Sequence, residues 1–225
     1  MAANTRSLKK SHRLFASVGY YGNFIGTPVK IGDVFQVDGA EHIKLGNIET
    51  LSKTVSLKDA IESSNEANFK FTSGKEFTIS FGANADLKLG KGEVQIDFKS
   101  NSSAFVSLND AVIDVLSIGL IETELKAYWE KKGYTKAGNR RRYIIISSII
   151  KAASGTVIFS SEKNNKVVLK ASTDEEIKSI KALGSGKFEY VSNTKATLEI
   201  ISPKAIQPMY RALWINAKGR FDIIK

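Results

Sequence analysis

From Phe77 the chain alternates. Phe77, Ile79, Phe81, Ala83, Ala85, Leu87 and Leu89 are apolar, and Thr78, Ser80, Gly82, Asn84, Asp86 and Lys88 stand between them. A two-residue period predicts a strand with one apolar and one polar face. Beyond Gly90-Lys91 the alternation resumes in opposite phase, with Val94, Ile96 and Phe98 against Gln95, Asp97 and Lys99. Glycine at the first position of a two-residue loop suits a type II′ turn. The hairpin so predicted sets Leu87 opposite Val94, Ala85 opposite Ile96, Ala83 opposite Phe98, and Lys88 opposite Glu93, which agrees on both faces. Both arms are long for a soluble hairpin, and the first, with over ten alternating residues, reaches the roughly 9–11 residues of a transmembrane β-strand. An ordinary amphipathic hairpin packed on a core is the commoner use of such a pattern.

Elsewhere the pattern predicts further strands with helices between them. Ser7 caps a short helix over Leu8 to Ser17, with Leu8, Leu14, Phe15 and Val18 on one side and Lys9, Lys10, His12 and Arg13 on or near the other. Val29 to Leu51 reads as short strands with turns at Gly32-Asp33, Asp38-Gly39 and Gly46-Asn47. Leu57 to Ser63 suits one or two helical turns, and the polar stretch from Ser63 to Lys75 a loose approach to the hairpin. Ser107-Leu108-Asn109-Asp110 has capping-box spacing. It predicts a helix carrying Leu108, Val112, Leu116, Leu120, Leu125 and Trp129, stopped by Lys131, Lys132 and Gly133.

Tyr143 to Ile150 is rich in β-branched residues and predicts a buried strand. A second hairpin follows, with a loop at Lys163 to Asn165 that pairs Val157 with Ala171 and Phe159 with Leu169. Ser172-Thr173-Asp174-Glu175 is a full capping box, and its helix carries Ile177, Ile180 and Leu183. Lys187 to Ile201 predicts a third hairpin, and PMYRALWI and RFDIIK two closing strands. With no linker and no repeat, the expectation is one α+β domain over residues 1–225, a twisted antiparallel sheet of hairpins with surrounding helices.

Charge adds a partner class. Lys and Arg number 33 against 23 Asp and Glu, giving +10 and a pI near 9.6. That balance favours nucleic acid or an anionic membrane surface, as does the run Arg140, Arg141, Arg142. The chain has no cysteine, which excludes thiolate chemistry and disulfides. It has two histidines, His12 and His42, neither with ligand spacing around it. Gly184-Ser185-Gly186-Lys187 lacks the flanking residues of a phosphate loop. Asp110 with Asp114, and Asp174 to Glu176, are explained by helix first turns. No enzyme, cofactor or metal site is therefore expected. There is no secretory leader and no apolar run of transmembrane-helix length, so the expected place of the chain is the cytoplasm.

The order of elements, together with YIIISSIIKAASGTVIFSSEKNNKVVLKASTDEEIKSI, GKFEYVSNTKATLEI, PMYRALWINAKGRFDI and FTISFGANADLKLGKGEVQIDF, resembles the gasdermin pore-forming domain, in particular the short bacterial gasdermins. The resemblance implies a soluble protein that binds acidic lipid, oligomerises, and extends its hairpins into a β-barrel pore in the cell inner membrane. Antiphage defence by cell death is the implied role. Lys9, Lys10, Arg13, Arg140, Arg141 and Arg142 are the implied lipid-binding residues. Phe77, Ile79, Phe81, Leu87, Val94, Ile96, Phe98, Val157, Phe159 and Leu169 are the implied membrane-inserting ones.

Two features depart from the family. Bacterial members commonly carry an acylated N-terminal cysteine, and this chain has none. They also end in a short inhibitory segment, whereas here the expected last strand, RFDIIK, closes the sequence. Restraint by a separate chain, triggering by lipid itself, an activating protease, or loss of pore activity all remain open. The alternative is a soluble basic module that binds nucleic acid or a protein without forming pores.

Overall fold

The computed structural model describes residues 20–23, 28–38, 41–73, 77–81, 93–99, 103–160, 163–171, 188–193, 197–202 and 205–223. These form thirteen strands and few helices: β1 (Tyr21–Gly22), β2 (Asp33–Asp38), β3 (Glu41–Asn47), α1 (Ile48–Leu51), β4 (Ile61–Ser73), β5 (Phe77–Phe81), β6 (Glu93–Phe98), β7 (Ser103–Leu116), a 3₁₀ turn (Ile118–Leu120), α2 (Glu122–Lys131), β8 (Tyr143–Ser160), β9 (Asn165–Ala171), β10 (Phe188–Asn193), β11 (Thr197–Ser202), β12 (Ile206–Ile215) and β13 (Phe221–Ile223). The described chain is mostly antiparallel sheet, so the expected α+β balance with surrounding helices gives way to a sheet-dominated fold. The two expected terminal-side helices, over Leu8 to Ser17 and after Ser172, lie outside the described residues, as does Leu87.

The chain divides into two compact units. One gathers Phe15–Ser64, Val112–Ile150 and Gln207–Lys225. Here the strand order is β1-β12-β8-β2-β3, with β13 on β12. Ile144 to Ile150 of β8 are buried throughout, as the isoleucines predict. Asp33 fixes the turn before β2. Its buried carboxylate accepts from Lys30 N (2.8 Å), Lys44 Nζ (2.7 Å) and Asn47 Nδ2 (3.2 Å). Gly32 sits at φ +82, in the left-handed region that a side chain would strain. Asn47 also caps α1. The expected turn at Gly32-Asp33 is present, whereas Gly46 lies in β3 opposite Val34, beside a register shift in β2.

The core of this unit forms around α2. Leu125 and Trp129, four residues apart, lie on one face and are fully buried. Trp129 meets Tyr134 and Phe221 edge-on, each at 5.6 Å between centroids, and Tyr134 stacks on Tyr143 at 3.7 Å. Gly133 at φ +71 ends the helix, as its stop signals predict.

The other unit takes in Asn65–Ala111 and Lys151–Ile206. Two sheets cross it, β4-β7-β8-β11 and β5-β6-β9-β10. Chain order makes these the same four arms: β4 then β5, β6 then β7, β8 then β9, β10 then β11. The central pair is adjacent in both sheets, β7 beside β8 and β6 beside β9. In the second, Glu93 faces Lys170 and Phe98 faces Asn165. Eleven residues onward from Phe98 and eleven back from Asn165 stand Asn109 and Ser154, whose side chains hydrogen-bond at 3.0 Å. Gly155 likewise lies against Leu108 and the Ser107 carbonyl, with no room for a Cβ.

Four expectations fail here. Residues 107–116 are strand, not a capped helix, because Phe105, Val106, Val112, Ile113 and Val115 favour the pleated state and Asn109 and Asp110 disfavour the helix. The first hairpin has another register, and its expected turn at Gly90-Lys91 lies outside the described residues. Phe81, not Leu87, faces Val94, with Ile79 opposite Ile96 and Phe77 opposite Phe98. That register replaces two alanine pairings by bulkier ones. The second and third hairpins do not form. Val157 faces Ile200 and Phe159 faces Leu198, larger partners for Val157 than Ala171, while Leu169 is flanked by Val94 and Tyr190. The left-handed residue of the loop is Asn164, at φ +58. Finally, residues 61–73 are a strand, not helical turns and a loose segment. This edge strand is tied to β7 by Ser63 Oγ donating to Asp114 (2.7 Å) and by Ser117 Oγ donating to Glu62.

Candidate membrane-contact surfaces

Alternation along β6 and β9 sorts their side chains into two faces. On the sheet β5-β6-β9-β10, Val94, Ile96 and Phe98 share a face with Asn165, Val167 and Leu169, all buried. Register puts positions 77, 79 and 81 on that face too. The other face carries charge in cross-strand pairs, Glu93 with Lys170 and Asp97 with Lys166. Gln95, between them, donates to Asp97 at 2.8 Å. In β7, Ala104, Val106 and Leu108 are buried at every second position, as are Gly155 and Val157 in β8. The alternate positions there mix buried polar and apolar side chains: Ser107, Ser154, Thr156 and Ser160 with Phe105 and Ile158. Ser107 Oγ and Thr156 Oγ1 have no hydrogen-bond partner.

Of the expected inserting positions that the structure describes, 77, 79, 81, 94, 96, 98 and 169 are in register on the sheet β5-β6-β9-β10, whereas 157 and 159 lie in β8, paired with β11. The side chains of Val94, Ile96, Phe98, Val157 and Leu169 are at most 1% exposed, so in this conformation they are core.

The expected basic cluster splits. Lys9, Lys10 and Arg13 lie outside the described residues. Arg140, Arg141 and Arg142 sit at the end of a loop that follows α2 and is braced from within. Gly133 O accepts from Asn139 Nδ2 (3.0 Å), and Thr135 O accepts from Arg140 Nε (2.8 Å). Val37 N donates to Arg142 O at 2.6 Å. Arg140 is thus half-buried and partly a structural brace. Arg141 is exposed and lies over the Trp214 ring at 4.9 Å. Arg142 is exposed, and its 4.0 Å approach to Asp38 is a weak surface pair. Lys131, Lys132 and Lys136 stand exposed on the same segment. Sequence reasoning did not single out Trp214 or Lys136 and read Lys131 and Lys132 only as helix stops; the run from Lys131 to Arg142, six cations in twelve residues, was the available signal.

The loop's anchor is aromatic. Burial, then the neighbouring Tyr128 and Tyr143, push the Tyr134 hydroxyl up to about 12. Burial also raises Tyr128, against a hydrogen bond from Tyr134 that lowers it. A raised tyrosine pKa means the unfolded chain ionises first, so folding stability is full below about pH 10 and falls as pH climbs from 10 toward 12. Urea midpoints should drop over that window in the parent. In Tyr134→Phe the drop should be smaller, and an unchanged drop would remove Tyr134 as its source.

His42, the one described histidine, meets the Tyr210 hydroxyl at 3.2 Å through Nδ1. Among the described residues no cluster of His, Asp or Glu is fit to hold a metal ion, and no helix is long and apolar enough to cross a membrane.

No family model matches the chain, and no curated protein matches it. Among solved structures it is similar to the gasdermin A3 membrane pore, seen by cryo-electron microscopy. The two are 13% identical, the match covers 87% of this chain and 80% of that one, and the TM-score is 0.29. Likeness at that level does not place the chain in a family.

Proposed function

We propose that this protein is a gasdermin-like membrane-permeabilising effector, a single functional domain that binds acidic lipid, self-associates and inserts amphipathic strands as a β-barrel. It is soluble in the cytoplasm until it meets the inner membrane, and cell death, as in antiphage defence, is the outcome. One observation carries the reading: on the sheet β5-β6-β9-β10 the central strands turn one face of apolar side chains and one face of cross-strand charge pairs. A closed barrel lets such arms satisfy every backbone group in lipid, and the polar face would line water. The function needs no catalytic group or cofactor. A separate inhibitory chain or an activating protease fits the same scheme.

Dye release from liposomes with and without anionic lipid tests it. Release should depend on the acidic lipid, and its absence from both would sink the proposal. The six basic residues Lys9, Lys10, Arg13, Arg140, Arg141 and Arg142 supply the lipid affinity in this scheme. Each contributes roughly 1 kcal/mol near an anionic surface, so replacing all six by Gln should cost several kcal/mol of binding, less as salt rises. Co-sedimentation at two salt concentrations reads this. Sedimentation like the parent's at low salt would show that the basic surface serves another partner, such as a nucleic acid or a protein.

A further inference from the structure

Two described residues other than glycine have a left-handed backbone, Asn164 at φ +58 and Asp110 at φ +49. Asn164 lies in the turn before β9, where such a residue is at home. Asp110 lies inside β7, a strand of fourteen residues. A pleated antiparallel strand holds φ at roughly −140°, and a side chain in the left-handed region is strained. Nothing local offsets that strain. The Asp110 side chain is exposed and has no hydrogen-bond or ion-pair partner among the described residues. Its neighbours hold it in place. Leu108 and Ala111, on either side, are at most 1% exposed, and Asn109 is bonded to Ser154 of β8.

The same stretch carries two further costs. Gly155 of β8 packs so closely on β7 that a Cβ would stand 2.5 Å from Leu108 Cδ2 and 3.0 Å from the Ser107 carbonyl oxygen. The next residue along each strand, Ser107 and Thr156, is at most 1% exposed, and neither hydroxyl has a hydrogen-bond partner. A buried hydroxyl left unpaired has given up its bonds to water without replacement. Strained backbone persists only where the surrounding structure imposes it. In a membrane barrel, by contrast, a strand is paired along its whole length, which returns position 110 to negative φ. Ser107 and Thr156 alternate with Leu108 and Val157, so in such a strand they take the side that faces the lumen water.

We infer that Ser107–Asp110 of β7, with Gly155 and Thr156 of β8, is a strained catch. It keeps the soluble fold less stable than the same strands could be, and its relaxation into regular strand speeds the change to the inserted form. The inference rests on the permeabilising function proposed above and assigns part of its driving force to one place in the chain.

Variants are compared by urea midpoint and by the rate of leakage from phosphatidylcholine–phosphatidylglycerol vesicles. Glycine accepts φ +49 and valine resists it, while Asp110→Gly and Asp110→Val remove the same charge. Asp110→Gly should have the higher midpoint and leak about three- to tenfold more slowly than Asp110→Val. Ser107→Ala with Thr156→Val removes both hydroxyls at nearly constant volume. That pair should raise the midpoint and slow leakage by a similar factor relative to the parent, and it decides alone if Asp110→Val does not fold. Ile145→Val, in the part of β8 paired with β2, should lower the midpoint and leave leakage unchanged. Midpoints that rise without slower leakage would overturn the catch and leave the pore reading standing, as would midpoints that do not move. Leakage sped as much by Ile145→Val as by Asp110→Val would show that overall stability sets the rate, and would overturn the catch too. A parent that never leaks would overturn both.

Discussion

Alanine in place of Trp129 should lower the unfolding free energy by about 3–5 kcal/mol, the usual cost of emptying a large aromatic site. The indole is fully buried and ringed by Tyr128, Tyr134 and Phe221. Small domains hold only about 5–15 kcal/mol in total, so the variant should sit near the edge of folding. Its Nε1 has no acceptor, so Trp129→Phe removes an orphan donor along with some volume and should cost much less. Denaturant titration of both variants gives the comparison. Equal losses would mean that the ring edge is not what the core needs. Because the braced loop grows from this helix, the alanine variant should also loosen Arg140 to Arg142.

Lysine at position 79 should abolish leakage, while lysine at position 80 leaves it near the parent's. Ile79 pairs with the buried Ile96, and Ser80 with Gln95 on the opposite face. A lysine on the lipid face near mid-membrane costs roughly 2–4 kcal/mol per strand, and every subunit of an assembly repeats it. The soluble form must be checked first, since position 79 shares a face with its core. Circular dichroism and the urea midpoint of Ile79→Lys separate failed folding from failed insertion. A folded variant that leaks like the parent would remove β5 from the membrane.

The sequence spoke clearly about faces and poorly about partners. Moving Val94 from Leu87 to Phe81 is a slip of six residues, an even number, so every side chain kept its face. Pairing is decided by which bulky residues meet from distant stretches, and local alternation is silent on that: Ile200 and Leu198 had to be brought to β8 from forty residues away. The lost helix at Leu108 has a similar cause. Positions four apart share a face in a strand as well as in a helix, so Leu108, Val112 and Leu116 satisfied both periods. Turn residues were more reliable, because Gly32 and Gly133 act through their own backbone. The basic loop was visible as charge, but its rigidity came from Tyr134 and Asn139, whose roles depend on where α2 places them.

Tyr21 pairs with Tyr210 in β1 and β12, and Val34 with Ile145 in β2 and β8. The α2-centred unit is therefore stitched from three stretches separated by nearly the whole chain. Loop closure over such separations makes folding slow, in the millisecond-to-second range of non-local β proteins. On the ribosome the unit has no complete core until β12 and β13 emerge, because Leu213, Ile215 and Phe221 arrive last. The arms between them, by contrast, pair within shorter spans. A nascent chain would thus present finished amphipathic ribbons before the unit that follows them in folding, a window in which chaperone capture should be strongest.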